Sequence, residues 1–291
     1  MSGYNTSELA AVFADQDHIT SDGYLHFCES RSDISYHKRD FLYRSGVWRE
    51  KKIKSYLCHR PEQTRVVVLG HSDFATNNLD VVILRLFGTR VVLATNCTAQ
   101  RDTHWCLPLG LTNDCDDSPI HRVLGDTSML LNALRSISVR PAFTNSVLLS
   151  FNPGTAPKHR QHVFSLLINQ TGVTSIELNY SVPGRREYCE LLRQYDFVVC
   201  PRGNGRDTHR LWESLYMGSI PIVKKGDLPP SLLSQFPIWA VESWSEVLDL
   251  NLRSEARDRI MSESWDVNKL RQSYWNSFIA QKSSCAGEIP S

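Results

Sequence analysis

Residues 195–225 read YDFVVCPRGNGRDTHRLWESLYMGSIPIVKK, and the fold class follows from them. Phe197, Val198, Val199 and Cys200 form an apolar run of strand length and β-branched character. Pro201, Gly203 and Gly205 end that run and open a loop. Asp207 or Thr208 is suited to cap the helix that follows, where Leu211, Trp212 and Leu215 recur at helical spacing. Gly218 stands where a helix C-terminal glycine belongs. Residues 219–223 resume an apolar strand, with Pro221 near its start. The unit is strand, glycine-rich turn, helix, strand: a βαβ crossover.

Such a crossover turns backbone N–H groups and the positive end of a helix dipole toward the C-terminal edge of its first strand. That place suits phosphate. Arg202, Arg206 and Arg210 add charge able to clamp a diphosphate. The glycine spacing matches neither the G-x-G-x-x-G dinucleotide fingerprint nor the P-loop pattern. The bland alternative is a solvated turn with surface arginines.

The chain has 291 residues, room for about two domains. Its 41% hydrophobic and 22% charged residues are ordinary for a globular protein. A net charge of +1 gives no global signal for nucleic acid or a membrane surface. No run has the length of a membrane span, and residues 1–18 lack the basic start and apolar core of a secretion signal. The 8 cysteines contain no C-x-x-C pair, so free thiols and a reducing, cytoplasmic location are expected.

The βα alternation extends both ways. Residues 24–28 read as a short strand, residues 65–69 and 90–94 as strands flanking a helix at 79–87, and residues 107–111 as the start of a further element. Residues 37–54 carry many Lys and Arg with Phe41, Tyr43 and Trp48 interleaved. They form either a solvated helix face or a basic, aromatic contact for an anionic acceptor. A helix is expected around 128–136. Beyond Pro141 come a strand at 147–151, a turn at 152–154, a helix at 158–169, a weak strand at 175–178 and a helix at 187–194. A last strand at 238–241 precedes helices at 243–250, 254–262 and 265–280. The expected architecture is α/β, with two Rossmann-like domains, residues 1–140 and 141–264, facing across a cleft, and residues 265–291 as a C-terminal helix and tail. Ligands of such sheets bind outside the C-terminal strand ends.

The pattern Arg210-x-x-Glu213-x-Leu215-x-x-Gly218-x-Ile220-Pro221-x-Val223 resembles the signature of exostosin-like glycosyltransferases. The preceding CPRGNGRDTHR is similar to a bacterial and viral branch of that group. Gly70-His71-Ser72-Asp73, then Thr95-Asn96-Cys97, then residues 107–111, LPLGL, are similar in order to segments of the N-terminal half of those proteins. The resemblance implies the GT-B fold, with the last helix crossing back to the first domain. Animal exostosins are membrane-anchored Golgi enzymes, and the chain departs from them there. The implied activity is metal-independent transfer of a sugar from a nucleotide-diphosphate donor, a UDP sugar, to an acceptor hydroxyl, with no cofactor. The acceptor class stays open among glycan, lipid-linked sugar, protein and modified nucleic-acid base, and so does the stereochemistry.

Within that resemblance, Arg202 and Arg210 are the candidate diphosphate ligands. The N–H groups of Gly203, Asn204 and Gly205 stand beside them, and Asp207, Thr208 and His209 open the helix. Arg160 is a third positive group. Glu213 is the candidate ribose ligand, because a carboxylate accepts from both vicinal hydroxyls. It shares a helix face with Arg210, so Glu213→Ala is expected to weaken nucleotide binding at little cost in stability. Asp73 is the candidate general base, with His71 the runner-up. A retaining enzyme would need no base and would leave Asp73 to position the acceptor. Asp114 and Asp116 form a D-x-D in the half opposite to the donor, so no metal site is expected there. Two other classes compete: a sugar- or nucleotide-binding module without transfer, which would not turn over donor, and a nucleotide-dependent oxidoreductase, which would bind NAD or NADP.

Overall fold

The computed structural model describes residues 4–38, 65–71, 73, 75–76, 78–86, 88–97, 104–113 and 119–286. They contain two sheets. The first has the spatial order β1 (Ile34–Lys38), β2 (Val66–Gly70), β3 (Val91–Ala94), β4 (His104–Cys106). The second is built from β5 (Val147–Leu149), β6 (Val173–Ser175), β7 (Phe197–Val199), β8 (Ile220–Lys224) and β9 (Trp239–Val241), in the order β6-β5-β7-β8-β9. Every pairing is parallel. The sequences explain this. VVVLG of β2, VVLA of β3 and FVV of β7 are buried at every position, as strands covered by helices on both faces must be.

Successive residues serve opposite faces. In β5, Leu148 joins a buried cluster that includes Val66, Leu93, Val198 and Trp212 and so spans both sheets. Val147 and Leu149 join a second cluster with Phe197, Val199, Ile220 and Ile222. Pro221 sits in a strand with neighbours on both sides, a place where a missing N–H would ordinarily break a ladder. Ile220 donates to the Asp196 carbonyl and Ile222 accepts from Cys200 N–H, so Pro221 is turned toward β9. The β8–β9 pairing begins only at Ile222, and no bond is lost.

Helices alternate with the strands. Those of the second half are Pro157–Leu167, Val182–Gln194, His209–Tyr216, Pro230–Leu233 and Leu250–Ser262. The final helix, Gln272–Ala286, packs on β3 and on the helix Ser21–Glu29, and Arg90 Nη1 donates to its last carbonyl at 3.1 Å.

Residues 24–28 are helical rather than extended. The Thr20 hydroxyl accepts from Gly23 N–H and starts a helix that buries Tyr24 and Cys28 one turn apart. A five-residue apolar run is too short to show which period it obeys. β4 begins at His104, ahead of the expected 107; Leu107 and Leu109 are buried without a ladder. The weak strand lies at Val173–Ser175 instead of 175–178. The helix expected from 187 starts at Val182, capped by the Ser181 side chain. The last helix begins at Gln272, after a 3-10 turn at Val267–Leu270. The basic run beyond Lys38 and the residues Asp114 and Asp116 lie outside the described residues. Among the described residues no helix is long and apolar enough to cross a membrane.

The strand order of the second sheet carries functional weight. β5 lies between β6 and β7, so the chain leaves it in opposite directions at the β5–β7 edge. In doubly wound sheets a crevice opens beyond the C-terminal strand ends at that switch point.

Candidate functional site

A cavity of about 400 Å³ lies at that edge. Thr155 and Arg160 after β5, Asn179 and Tyr180 after β6, and residues 203–205 and 207–210 after β7 line it, with Asp73, Leu109 and Thr112 from the loops of the first sheet.

Arg160 comes from the helix Pro157–Leu167, which follows an Asx turn in which Gly154 N–H donates to Asn152 Oδ1. Its guanidinium is buried, and it donates to the carbonyls of Arg202 (3.2 Å) and Asn152 (3.4 Å). Burial, and then the charge of Arg210, bring its pKa down to about 10. Arg160 and Arg210 both lie against the Phe151 ring, at 5.8 and 6.0 Å from its centroid. Neither has a carboxylate within salt-bridge distance among the described residues. Arg210 Nε is buried and has no hydrogen-bond partner among the described residues. Two neighbouring cations face the cavity with no direct ion pair among the described residues; Glu213 acts on Arg210 and Asp73 on Arg160 only at longer range.

The glycines are needed for space. A Cβ on Gly203 would stand 2.8 Å from Arg160 Nη2, and one on Gly205 would stand 2.8 Å from Asn96 Oδ1. Gly203 N–H is spent on the Gly205 carbonyl at 3.0 Å, so the loop does not offer it to a ligand. The Arg202 side chain does not line the cavity, and Arg206 is turned to the Gly226 carbonyl at 2.7 Å. Asn204 reaches across to Asp73 at 3.4 Å.

Thr208 occupies the N-cap position of His209–Tyr216, yet its hydroxyl makes no capping bond and is buried without a partner among the described residues. Asp207 is not the cap. Its carboxylate accepts from Leu109 N–H (2.9 Å) and Trp212 Nε1 (2.8 Å), and its own N–H donates to Asn96 Oδ1 (2.9 Å). It bolts the β7 loop to the loops of the first sheet, and burial pushes its pKa up to about 7 against those donors. His209 is half-buried and joins the same seam: its Nδ1 donates to the Gly110 carbonyl at 2.8 Å.

Glu213 is buried, which argues against the small stability cost expected for its loss. Oε1 accepts from Arg185 at 2.7 Å and Oε2 from Tyr188 at 3.0 Å. Burial opposes its charge, but Arg185, then Arg210 and Tyr188, outweigh burial and hold the carboxyl below its ordinary pKa. The same pairing holds Arg185, despite burial, above its own. Glu213 still lines the cavity.

Asp73 lines the cavity and is exposed. His71 does not. Its Nδ1 is 2.6 Å from the Tyr36 hydroxyl and its Nε2 2.7 Å from Asp22 Oδ1, so both nitrogens are engaged away from the cavity.

Arg185, Tyr188 and His121 were not anticipated at the site. A signal existed for two of them. Arg185, Tyr188, Cys189 and Leu192 fall at helical spacing, so an arginine interrupts an otherwise apolar stripe. Such an arginine needs a buried anion, and Glu213 supplies it. No protein-family model matches the chain, and no curated protein matches it significantly.

Proposed function

We propose that the protein is a glycosyltransferase of GT-B type. Its two sheets would form Rossmann-like domains facing across a cleft, and a nucleotide-diphosphate sugar would bind at the ends of β5 and β7. The observation that carries this reading is the pair Arg160 and Arg210, side by side at a helix N-terminus in a cavity and without a direct ion-pair partner among the described residues. Like charges brought together in a partly dry pocket are costly unless an anion completes the site. A diphosphate fits because it spans two guanidinium groups.

The residues take roles in that frame. Arg160 and Arg210 offset the charge of the leaving diphosphate, which is where bond breaking puts it. Glu213, fixed and ionised by Arg185, has lone pairs left for the ribose hydroxyls. Asp73, on the opposite wall, faces the acceptor. The reading needs no metal, because the arginines supply the positive charge.

A thermal-shift screen against UDP, GDP, CDP and their sugars tests it. A ligand that binds only the folded state raises the midpoint. At least one nucleoside diphosphate should do so in excess chelator, and NAD and NADP should not. A rise with NAD alone would move the protein to the oxidoreductases. Nucleotide binding without donor turnover would make it a binding module.

A further inference from the structure

We propose that His209 is the general base that takes the proton from the acceptor hydroxyl, with Nε2 as the receiving atom. The proposal rests on the donor reading above and deepens it.

A carbonyl oxygen only accepts, so the 2.8 Å contact with Gly110 makes Nδ1 the protonated nitrogen. In the neutral ring the lone pair is then on Nε2. That atom has no hydrogen-bond partner among the described residues, and His209 lines the cavity. The tautomer is therefore set by the backbone of the first sheet's loop, and the basic nitrogen is left for substrate.

Two independent features keep the ring neutral. His209 is the first residue of its helix, where the positive dipole end disfavours an imidazolium. Burial lowers its pKa from 6.5. Around it stand the Gly110 carbonyl and Asp73 on the first-sheet side, Glu213 on its own helix, and Arg185 on the helix Val182–Gln194. The two carboxylates and the carbonyl favour the charged ring and Arg185 opposes it; burial outweighs the balance.

The step balances. The acceptor oxygen forms a bond to the anomeric carbon as the anomeric C–O bond to the diphosphate breaks. The electron pair of that bond leaves on the diphosphate oxygen, facing Arg160 and Arg210. The acceptor proton passes to Nε2. A single displacement of this kind inverts the anomeric centre.

Histidine position also separates the roles of two residues. Asp73 is on the rim, exposed and hydrogen-bonded by Asn204, so it orients the acceptor. His209 sits one residue from Arg210, close to where the anomeric carbon must lie.

The test compares wild type, His209→Gln and Asp73→Asn, each checked for folding by circular dichroism. The readouts are UDP affinity and the turnover of UDP-glucose, UDP-galactose and UDP-N-acetylglucosamine with water as acceptor, between pH 5 and 9. His209→Gln should bind UDP within about twofold of wild type and lose at least about a hundredfold in kcat, the usual scale for a lost base. Wild type should show an acid limb with a midpoint below 6.5; Asp73→Asn should keep that limb, moved to lower pH by the lost carboxylate, and His209→Gln should lack it. Added imidazole should restore part of the activity of His209→Ala. Overturning results are His209→Gln turning over near the wild-type rate with its acid limb intact, loss of that limb in Asp73→Asn alone, or a wild type that binds UDP and consumes none of the three donors. If UDP and the other nucleoside diphosphates fail to bind the wild type, the donor reading falls first and the base with it.

Discussion

Glu213 shows how one side chain can have two duties. It lines the cavity, and it neutralises Arg185, which is 3% exposed. Glu213→Ala would leave that guanidinium buried and unpaired, which costs about 3–5 kcal/mol. The loss should appear as a lower urea midpoint with an unchanged slope, and Glu213→Leu combined with Arg185→Leu should recover a good part of it. A single Glu213→Ala variant as stable as wild type would contradict the buried pair. From the sequence alone Glu213 reads as a ribose ligand whose loss costs little stability, because its partner is 28 residues away and no local pattern joins them. Asp207 gives a prediction of opposite kind. Its folded-state pKa is raised from 3.8 to about 7, so the folded chain binds a proton that the unfolded chain releases. Its contribution is full below 3.8 and is lost as pH rises through about 7. Between pH 4 and 8 the stability of wild type relative to Asp207→Asn should therefore fall by up to roughly 4 kcal/mol. Urea melts of both proteins across that range check it, and a difference that rises with pH would contradict the assignment.

At the scale of elements, helix ends are held by a side chain no capping rule would suggest. Arg193 is 2% exposed. Its Nε donates to the Ile137 carbonyl at 3.0 Å and its Nη1 to the Met217 carbonyl at 2.9 Å. Those carbonyls end the helices Ser128–Ser136 and His209–Tyr216, so one cation serves two negative dipole ends. Arg193→Met keeps much of the volume and strands both carbonyls. It should cost about 3–6 kcal/mol, from two charged hydrogen bonds worth about 1.5–3 kcal/mol each, read by chemical denaturation. The strands were legible because their apolar runs are short and bounded by breakers, and in β2, β3 and β7 rich in valine. The glycine loop and its helix were legible because breaker and periodicity signals alternate there within a few residues. Residues 24–28 and the start of Val182–Gln194 were not. In both, a capping hydroxyl, Thr20 or Ser181, decides the structure from just outside the apolar residues.

Over the whole molecule, the two sheets are tied by polar bonds around the cavity and by a shared buried cluster. Asp207 to Leu109, His209 to Gly110 and Ile19 N–H to the Tyr216 hydroxyl cross between them. Leu148, Val198 and Trp212 belong to the same cluster as Val66 and Leu93. The chain should accordingly unfold in one transition. Far-ultraviolet circular dichroism and tryptophan fluorescence should give coincident curves, and two separated transitions would contradict the shared core. The position of the cavity follows from topology, since the strand order β6-β5-β7-β8-β9 puts the crevice where β5 and β7 end. Sequence could place Arg210 and the glycine loop there. It could not show that Arg160, rather than Arg202, turns its guanidinium into the cavity, because that depends on which carbonyls the β7 loop presents to it. The most direct measurement is titration calorimetry of UDP into wild type and Arg210→Met in excess chelator. Wild type should bind without metal, and Arg210→Met should bind at least about tenfold more weakly, as expected for one lost charged hydrogen bond. Equal affinity in the two proteins, or no binding of UDP, GDP or CDP to wild type, would contradict a diphosphate site at Arg160 and Arg210.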